Sequence, residues 1–561
     1  MSAGMEAPLV RQFDLLATAP GGVARLRELI LTLAVQGKLV PQEAGDEPAS
    51  VLLQRIRAEK DRLIAAGKMR REKESAIEAK EDSPILPNGW VWTSLATVGV
   101  INPRNDAADD IIASFVQMSS IPVAFAESHT TEPRPWRDIK SGFTQFAEGD
   151  VGVAKITPCF ENGKSTVFQN LSNGIGAGTT ELHIVRPLGN IAPRYVLLFL
   201  KSPAFLKDGE LIMTGSAGQK RLPRAYFENR PFPLPPLAEQ SRIVTRVEDL
   251  MRLCDALEHQ RQLETAQHAQ LLNTLLGTLT DCISPDELAA NWQRVSDHFD
   301  LLLDRPEAVD ALEQTILQLA VRGLLVPQDP ADEPASVLLQ KIRAGKSKQD
   351  KPLPEITDEE KSFDLKEPWI WTRVGDIVEM LNGYAFKSEW FKPAGTRLLR
   401  NLNISHGRID WSQPAFVDSL TAASFSSFEL KAGDIVLSLD RPIISTGLKY
   451  AVVKASDLPC LLLQRVARLS PYTSAISADF FVLWLQSDLF MRTIDPGRSN
   501  GVPHISTKQV ANLVIGLPPL AEQTRIVARV TQLRHLCTTL RQRLAAGQTT
   551  QRHLAEALVE V

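Results

Sequence analysis

Three short motifs in this 561-residue chain combine residue types that could do chemistry. The first, Gly163-Lys164-Ser165, has the lysine and hydroxyl that close a phosphate-binding loop, in which backbone N–H groups cradle a nucleotide. Such a loop also requires a glycine five residues before Gly163, and Pro158 stands there. We therefore predict no nucleotide site in this loop.

The other two motifs match parts of DNA-modifying active sites. Asn102-Pro103-Arg104 lacks the second proline and the aromatic residue of the Asn-Pro-Pro-aromatic motif of amino-methylating enzymes. Glu78-Ala79-Lys80 and Glu359-Glu360-Lys361 match half of a nuclease motif, but both lie in charged runs that favour a solvated helix face. We predict neither methyl transfer nor strand cleavage by this chain.

Histidine and cysteine spacing does not favour a metal site. The chain has nine histidines and five cysteines, without Cys-x-x-Cys or His-x-x-x-His pairs. Scattered cysteines in odd number fit a reducing compartment without a disulfide framework. Cys254 and Cys537 occupy the same place in two similar apolar patterns, so we predict that they pack in a core. No catalytic residue, metal or cofactor is predicted in this chain.

Two long stretches of the sequence occur twice. Residues 33–54 read LAVQGKLVPQEAGDEPASVLLQ, and 319–340 read LAVRGLLVPQDPADEPASVLLQ, an offset of 286. LPPLAEQSRIVTRV at 234–247 returns as LPPLAEQTRIVARV at 517–530, an offset of 283. A repeat of this length is too long for a solenoid unit and indicates a duplicated pair of domains.

The segments that follow LPPLAEQ have the periodicity of long helices. Their apolar residues are spaced alternately four and three apart, which keeps one seam towards a partner helix. We predict helices over 238–279 and 521–561. The DEPASVLLQ segments are also predicted to be helical, with Asp46 and Asp332 as N-caps. The seam residues are Ile243, Val247, Leu250, Cys254 and Leu257 in the first helix, and Ile526, Val530, Leu533, Cys537, Leu540 and Leu544 in the second.

The regions between these helical segments are predicted to be α+β domains, because glycine, proline and short β-type runs alternate there with buried-helix patterns. The chain carries a net charge of −4, which disfavours nucleic-acid binding when taken as a whole. Residues 89–236, however, contain 14 basic and 13 acidic residues, and 369–519 contain 15 and 12. The acidic excess therefore belongs to the helical segments. The two regions at 89–236 and 369–519, called the first and second middle, are mildly basic and permit phosphate contact.

Hydropathy and the N-terminal pattern give no sign of a membrane protein. No run of eighteen apolar residues occurs, so no transmembrane helix is predicted. The sequence MSAGMEAPLVRQFD does not have the pattern of a signal peptide. We expect a cytoplasmic protein with no membrane partner.

The duplicated motifs resemble those of the specificity subunit of type I restriction–modification systems. LPPLAEQ followed by RIV, at 234–244 and 517–527, opens a heptad helix twice. The second middle adds GYAFKSEWF at 383–391, LLRNLNISHGRIDW at 398–411 and GDIVLS at 433–438, which look like a target-recognition domain of that family.

This resemblance implies an α+β fold: two target-recognition domains of mixed α/β structure, separated by long antiparallel coiled-coil helices, with an internal pseudo-two-fold duplication. The first middle departs from the pattern at 101–121, which implies domains of different subtypes that read different half-sites. The implied domains are an N-terminal helical conserved segment at 1–88, target-recognition domain 1 at 89–236, a central helical conserved region at 237–368, target-recognition domain 2 at 369–519 and a C-terminal coiled-coil helix at 520–561.

The resemblance also implies a non-catalytic subunit that binds a bipartite, asymmetric target in double-stranded DNA. It would direct adenine methylation and ATP-dependent cleavage by two modification (methyltransferase) subunits and by restriction (translocase/nuclease) subunits of a bacterial or archaeal cell. S-adenosylmethionine, ATP and Mg would bind those partners. Two alternatives stay open: a tandem coiled-coil adaptor for other macromolecules, and a self-contained DNA-modifying enzyme.

Candidate DNA-contacting residues are polar or basic side chains in loops of the two middles, because phosphate contacts give affinity and base-edge contacts give specificity. An offset of 283 sets Gln117, Ser119 and Ser120 opposite Arg400, Leu402 and Asn403. The predicted DNA-binding residues are Gln117, Ser119, Ser120, Lys155, Lys164, Gln219, Lys220, Arg221, Arg400, Asn401, Asn403, Arg441, Arg498, Asn500 and His504.

Overall fold

A computed structural model describes two compact units and the two long helices that they share. Within the described residues, unit 1 comprises those up to Glu264 together with those from Gly547 onward, and unit 2 comprises Thr265–Ala546. None of the described helices has the length and apolarity required to cross a bilayer. The described residues are 18–67, 85–216, 218–282, 284–345, 353–472, 475–494 and 504–559.

Unit 1 carries two helices, then a sheet-rich domain, then the start of a long helix. In chain order its elements are α1 (Gly22–Val35), α2 (Ala49–Ala65), β1 (Val91–Thr93), α3 (Leu95–Val98), β2 (Gly99–Ile101), β3 (Ile112–Val116), β4 (Glu132–Pro135), α4 (Trp136–Ile139), β5 (Thr144–Ala147), β6 (Val151–Ala154), β7 (Ser165–Val167), β8 (Ile175–Gly178), β9 (Leu182–Pro187), α5 (Pro193–Leu200), α6 (Pro203–Ile212), α7 (Arg224–Asn229), β10 (Phe232–Leu234) and the first part of α8 (Leu237–Thr280).

Unit 2 holds the end of α8 and two further short helices, followed again by a pair of helices, a sheet-rich domain and the start of a long helix. Its elements after α8 are α9 (Pro285–Asp297), α10 (Phe299–Leu302), α11 (Pro306–Val321), α12 (Ala335–Gly345), β11 (Ile370–Arg373), α13 (Val374–Ile377), β12 (Val378–Asn382), β13 (Thr396–Leu399), β14 (Phe416–Val417), α14 (Ser419–Ser424), β15 (Ile435–Ser438), β16 (Ile443–Ile444), β17 (Gly447–Leu448), β18 (Tyr450–Val452), β19 (Cys460–Leu462), β20 (Val466–Pro471), α15 (Ala478–Gln486), α16 (Asp488–Met491), α17 (Thr507–Asn512), β21 (Val514–Leu517) and α18 (Leu520–Val559). Helix α18 begins in unit 2 and ends in unit 1.

The larger sheet of unit 2 has the same topology as its counterpart in unit 1. The antiparallel order β2-β9-β6-β7 in unit 1 corresponds to β12-β20-β15-β18 in unit 2. A second sheet has four strands in unit 1, in the order β4-β3-β8-β5, and three strands in unit 2, in the order β14-β13-β19. Each of these sheets contains one parallel pair, β3 with β8 and β13 with β19. The first middle therefore folds like the second, although its sequence at 101–121 differs. The predicted α+β class and the duplication are confirmed.

Helices α5 and α15 lie buried beside these sheets, as their unbroken apolar runs predict. Residues 195–200 are all buried in unit 1, and Phe480, Phe481 and Trp484 are 2% exposed or less in unit 2. A helix with apolar residues on every face is stable only where other elements surround it, so the strands pack against these two helices.

A glycine follows the last turn of the first helix of each repeated helix pair. Gly37, after α1, has a φ of +67°, and Gly323, after α11, has a φ of +73°. A Cβ atom would lie 2.9 Å from the Trp90 ring at Gly37 and 2.9 Å from the Trp369 ring at Gly323. Glycine is therefore required twice over: for the left-handed backbone and for the contact with the tryptophan.

The predicted N-caps are wrong at both repeats. Helix α2 begins at Ala49 with Pro48 at the N-cap, and Asp46 lies outside the helix. Its carboxylate instead binds Arg242 of α8 at 2.5 Å, and Asp332 binds Arg525 of α18 at 2.6 Å. An arginine from a distant helix offers each carboxylate a charge-assisted hydrogen bond, which is stronger than a bond to a neutral backbone N–H.

The LPPLAEQ motif joins each sheet-rich domain to its long helix through a buried glutamine. Gln240 accepts a hydrogen bond from the Ala192 N–H at 3.0 Å and donates one to the Pro235 carbonyl at 3.0 Å. Gln523 accepts a bond from the Ser477 N–H at 2.7 Å and also donates to backbone carbonyls. Both glutamines are 0% exposed. The repeated motif thus positions the start of α5 and of α15 against the long helix.

Candidate nucleic-acid interface

The turn that follows β3 carries three of the predicted residues of unit 1. A short 3-10 helix, Met118–Ser120, begins directly after Gln117, the residue that follows β3. Gln117 and Ser119 are exposed, and Ser120 is half-buried. The Gln117 amide donates to the Glu132 carboxylate at 2.6 Å, so it is oriented by a neighbouring strand. This turn presents neutral polar groups that can both donate and accept hydrogen bonds.

Two lysines hold the β6–β7 hairpin against this turn. Lys164 Nζ donates to the Met118 carbonyl at 2.8 Å. Lys201, which the sequence analysis did not select, is 6% exposed, and its Nζ donates to the carbonyls of Val123 at 2.7 Å and Gly163 at 2.9 Å. Burial lowers the pKa of Lys201 to about 7. The only sequence signal for Lys201 is its place at the end of the apolar run of α5.

A second group lies on the loop before α7, whose backbone pairs with the segment that follows β6. Gln219 and Lys220 are exposed there. Arg221 Nη2 forms an ion pair with Glu181 Oε1 at 2.8 Å, and the Lys155 N–H donates to the Glu181 carbonyl at 2.9 Å. The Arg221 guanidinium lowers the pKa of Glu181. The structure therefore brings together four predicted residues that are far apart in the sequence.

The corresponding turn of unit 2, Asn401–Asn403, follows β13. Asn403 is 0% exposed, and its amide donates to backbone carbonyls of the next loop and accepts from Arg400. Asn401 Oδ1 accepts from Ser438 Oγ at 2.5 Å and from Lys449 Nζ at 2.7 Å. In this conformation both asparagines hold the turn, and the guanidinium of the half-buried Arg400 donates to the Asn403 side chain and to the Gln413 carbonyl.

A cluster around Asp440 supplies the charged part of the unit 2 edge. His504 Nδ1 lies 3.0 Å from one oxygen of the Asp440 carboxylate, and Arg465 Nη1 lies 2.9 Å from the other. Arg441 is exposed and has a φ of +48°. Arg465 was missed by the sequence analysis, although it is a basic residue between two buried strands, where an apolar or turn residue is more common.

These groups occupy equivalent places in the two units. An isolated β-bridge joins Ile156, after β6, to Arg221, and another joins Asp440, after β15, to His504. The 3-10 turns after β3 and β13 also correspond. Most of the predicted residues therefore lie in equivalent loops of the two units. In each unit they form two groups, one at the 3-10 turn and one at the bridged loops. Arg498 and Asn500 lie outside the described residues.

The described side chains that could serve in a catalytic or metal site are instead ion-paired or buried within the fold. The described ranges contain no group of three or more His, Cys, Asp or Glu residues arranged to hold a metal ion. Glu360 of the half nuclease motif binds Arg373 at 2.6 Å, which lowers the pKa of Glu360 to about 2. Glu78-Ala79-Lys80 lies outside the described residues. Cys254 and Cys537 are buried, and burial raises the pKa of both thiols.

Sequence comparison finds relatives along nearly the whole chain. The family model for the type I restriction modification DNA specificity domain matches residues 177–266 and 366–546. The type I restriction enzyme EcoAI specificity subunit of Escherichia coli is 54% identical over 550 residues, which cover 96% of this chain and 93% of that protein. The EcoEI specificity subunit of Escherichia coli is 40% identical, with the same 96% and 93% coverage.

Structural comparison agrees on the fold. A chain of a solved type I R-M system matches with a TM-score of 0.51 and 18% sequence identity, covering 85% of this chain and 98% of that chain. At this identity the match concerns the fold alone. The identity to two specificity subunits over nearly their full length carries the assignment. This chain belongs to the family of type I restriction–modification DNA specificity subunits.

Proposed function

We propose that this chain selects the target of a type I restriction–modification complex by reading a bipartite, asymmetric DNA sequence. Residues 89–236 would read one half-site and residues 369–519 the other. The observation that carries this proposal is that two domains of one topology hold different polar and basic side chains on equivalent loops. The same frame with different side chains is what two half-sites of different sequence require.

The exposed residues are proposed to contact the DNA, and the buried ones to hold the turns that carry those contacts. The guanidinium of Arg400 would exchange its bond to the Gln413 carbonyl for a bidentate contact with guanine, and Gln117 suits adenine. Asn401 and Asn403 would act by holding the turn of Arg400. The remaining proposed contacts are Ser119, Ser120, Lys155, Lys164, Gln219, Lys220, Arg221, Arg441, Arg498, Asn500 and His504.

Partner subunits are proposed to supply the chemistry. Two modification subunits would dock on the duplicated helical surfaces, and restriction subunits would join that core in the bacterial or archaeal cytoplasm. S-adenosylmethionine for adenine methylation, and ATP with Mg for cleavage, would bind those partners. We also propose that α8 and α18 pair as an antiparallel coiled coil between the domains. Its support is that α8 passes from unit 1 to unit 2, whereas α18 passes from unit 2 to unit 1.

A salt series tests DNA recognition directly. The chain with modification subunits added should bind target duplex with an affinity that falls steeply as salt rises, because released counterions drive phosphate contacts. Lys220→Ala should reduce the slope of log affinity against log salt by about 1. Lys207→Ala, an exposed lysine on α6, is the matched control. Salt-independent binding would favour the adaptor, and methylation by the purified chain alone would favour a self-contained enzyme.

A domain exchange tests the division of labour. Residues 89–236 are replaced by the corresponding domain of a subunit with another target, and methylated adenines are mapped in the genome of the host. One half-site should change and the other should persist. A change in both half-sites would contradict modular reading.

A further inference from the structure

Each unit contains an equivalent contact between a short helix and the first half of a long helix. We name the contact of α1 with α8 dock 1 and the contact of α11 with α18 dock 2. Four pairs of apolar residues in the docks are the same in type and buried in both units. They are Leu26 and Leu312, Ile30 and Ile316, Val247 and Val530, and Cys254 and Cys537, for dock 1 and dock 2 respectively.

Ion pairs border the apolar seam of dock 1. Arg27 of α1 lies between two carboxylates of α8, with Nη2 at 2.7 Å from Asp255 Oδ1 and at 2.7 Å from Glu258 Oε2. The cation therefore lies on the short helix and the anions lie on the long helix. The Arg27 side chain is 31% exposed, so solvent only partly screens it.

Dock 2 has the opposite arrangement. Arg541 of α18 lies at 2.7 Å from Asp310 and at 3.0 Å from Glu313 of α11. Arg534, one further cation of α18, lies at 3.0 Å from Glu313. Here the anions lie on the short helix and the cations lie on the long helix.

The inversion concerns equivalent positions. The repeat offset of 286 takes Arg27 to Glu313, and the offset of 283 takes Glu258 to Arg541. One ion pair has thus exchanged its charges between the repeats while the leucine, isoleucine, valine and cysteine residues beside it stayed the same in type. These four apolar pairs therefore do not distinguish the correct short helix from the wrong one, whereas the charges do.

We propose that this charge inversion determines which short helix docks on which long helix. With α1 on α18, Arg27 would meet Arg534 and Arg541. With α11 on α8, carboxylates would meet carboxylates. Exposed ion pairs add little stability, but like charges set against each other strongly disfavour a wrong pairing. The inverted pairs therefore keep the duplicated helices from exchanging places, within one chain or between two copies.

A helix graft in the full-length chain tests this proposal. Residues 22–35 are replaced by residues 308–321, which brings an aspartate to position 24 and a glutamate to position 27. The matched graft is the same except that Ala24 and Arg27 are kept. We expect the charged graft to unfold at a midpoint lower than the matched graft by roughly 2–4 °C or more at low salt. The difference should shrink at about 1 M salt, where the Debye length falls to about 3 Å.

A rescue variant separates charge from packing. Adding Asp255→Thr and Glu258→Arg gives α8 the residues that α18 has at these positions, and it should restore the midpoint of the charged graft even if that graft alone does not fold. Equal midpoints for the two grafts would overturn the proposal. So would a difference that salt does not change, a matched graft that is itself unfolded, or a rescue variant without recovery.

Discussion

The junctions of the two halves are nearly identical, whereas the turns that would read DNA differ in almost every side chain. At the junctions, Gln240 and Gln523 make the same backbone bonds, and Arg242 and Arg525 bind equivalent aspartates. After β3 and β13 the backbone forms the same 3-10 turn, but its side chains are unrelated. The two halves therefore keep the same backbone geometry at the junctions and turns, whereas the side chains that the turns present differ.

The two turns also keep their common backbone by different means. In unit 1, Lys164 reaches across from the β6–β7 hairpin to the Met118 carbonyl. In unit 2, Asn401 and Asn403 perform this task from within the turn. Because the frame does not depend on one set of side chains, a reading residue can change without loss of the turn.

Removal of the junction tryptophan should have the largest effect, and an equal one in both halves. Trp90 and Trp369 are 6% and 5% exposed and lie against Gly37 and Gly323. Trp90→Ala and Trp369→Ala should each lower the free energy of unfolding of their unit by about 3–5 kcal/mol, because each leaves a cavity. Hydrogen exchange resolved by unit measures it.

Trp292 is 40% exposed on α9, so Trp292→Ala serves as the control and should cost less than about 1 kcal/mol. If only one of the two junction variants destabilises its unit, the junctions are not equivalent.

Loss of the buried glutamine should have the next largest effect. Gln240→Ala and Gln523→Ala each leave buried backbone groups without a partner, which should cost about 1–3 kcal/mol. Chemical denaturation of each variant measures this cost. Gln262→Ala, at an exposed position of α8, should leave the stability unchanged within about 0.5 kcal/mol. A marked difference between the two glutamines would break the comparison.

A change in a reading turn should affect one half-site alone. Arg400→Ala removes the guanidinium proposed to contact guanine, and we expect a loss of about 1–3 kcal/mol in discrimination at one base pair. Competition binding by the complex with modification subunits, against every single-base variant of the target, measures the loss. The unit 1 half-site should serve as an internal control. Equal loss at both half-sites would contradict separate reading.

The smallest effect should come from the buried glutamates of the junction. Glu239 and Glu522 are 1% and 0% exposed, and burial raises the pKa of both carboxyl groups. The folded state then holds protons that the unfolded state has released, so stability falls as pH rises from about 4.5 through the raised pKa. Glu239→Gln and Glu522→Gln should remove this fall and slightly stabilise the chain near pH 7.

Thermal unfolding from pH 4 to pH 8 measures that profile for both variants. The Trp90 indole N–H donates to Glu239 Oε2 at 2.9 Å, and a glutamine oxygen can accept the same bond. A variant with the pH profile of the original chain would show that the glutamate is not the cause.

Sequence patterns predicted the features that depend on neighbours along the chain. The four-and-three spacing of apolar residues predicted both long helices, and unbroken apolar runs predicted α5 and α15. Gly37 and Gly323 come directly after the apolar pattern of their helices, which is where a left-handed residue that ends a helix needs glycine. These predictions are local, and each is confirmed by the observed element.

Features that depend on distant residues were not predictable in this way. The sequence around Asp46 is that of an N-cap, yet its partner is Arg242, 196 residues further along the chain. The polar type of Asn403 and its place in a loop predict a DNA contact, but the turn buries its side chain. A polar side chain is expected to form hydrogen bonds, but only the packing of the fold decides whether its hydrogen-bond partner lies inside the protein.

The sequence by itself determined the duplication, the α+β class, the long helices and the family resemblance, because each is encoded in repeated residue types at regular spacing. The tertiary structure alone decided that the divergent first middle has the topology of the second, which loops lie together, and that one ion pair exchanges its charges between the docks. Those facts arise from contacts between residues far apart in the chain, and hydrophobic periodicity carries no information about which partner a charged side chain will meet.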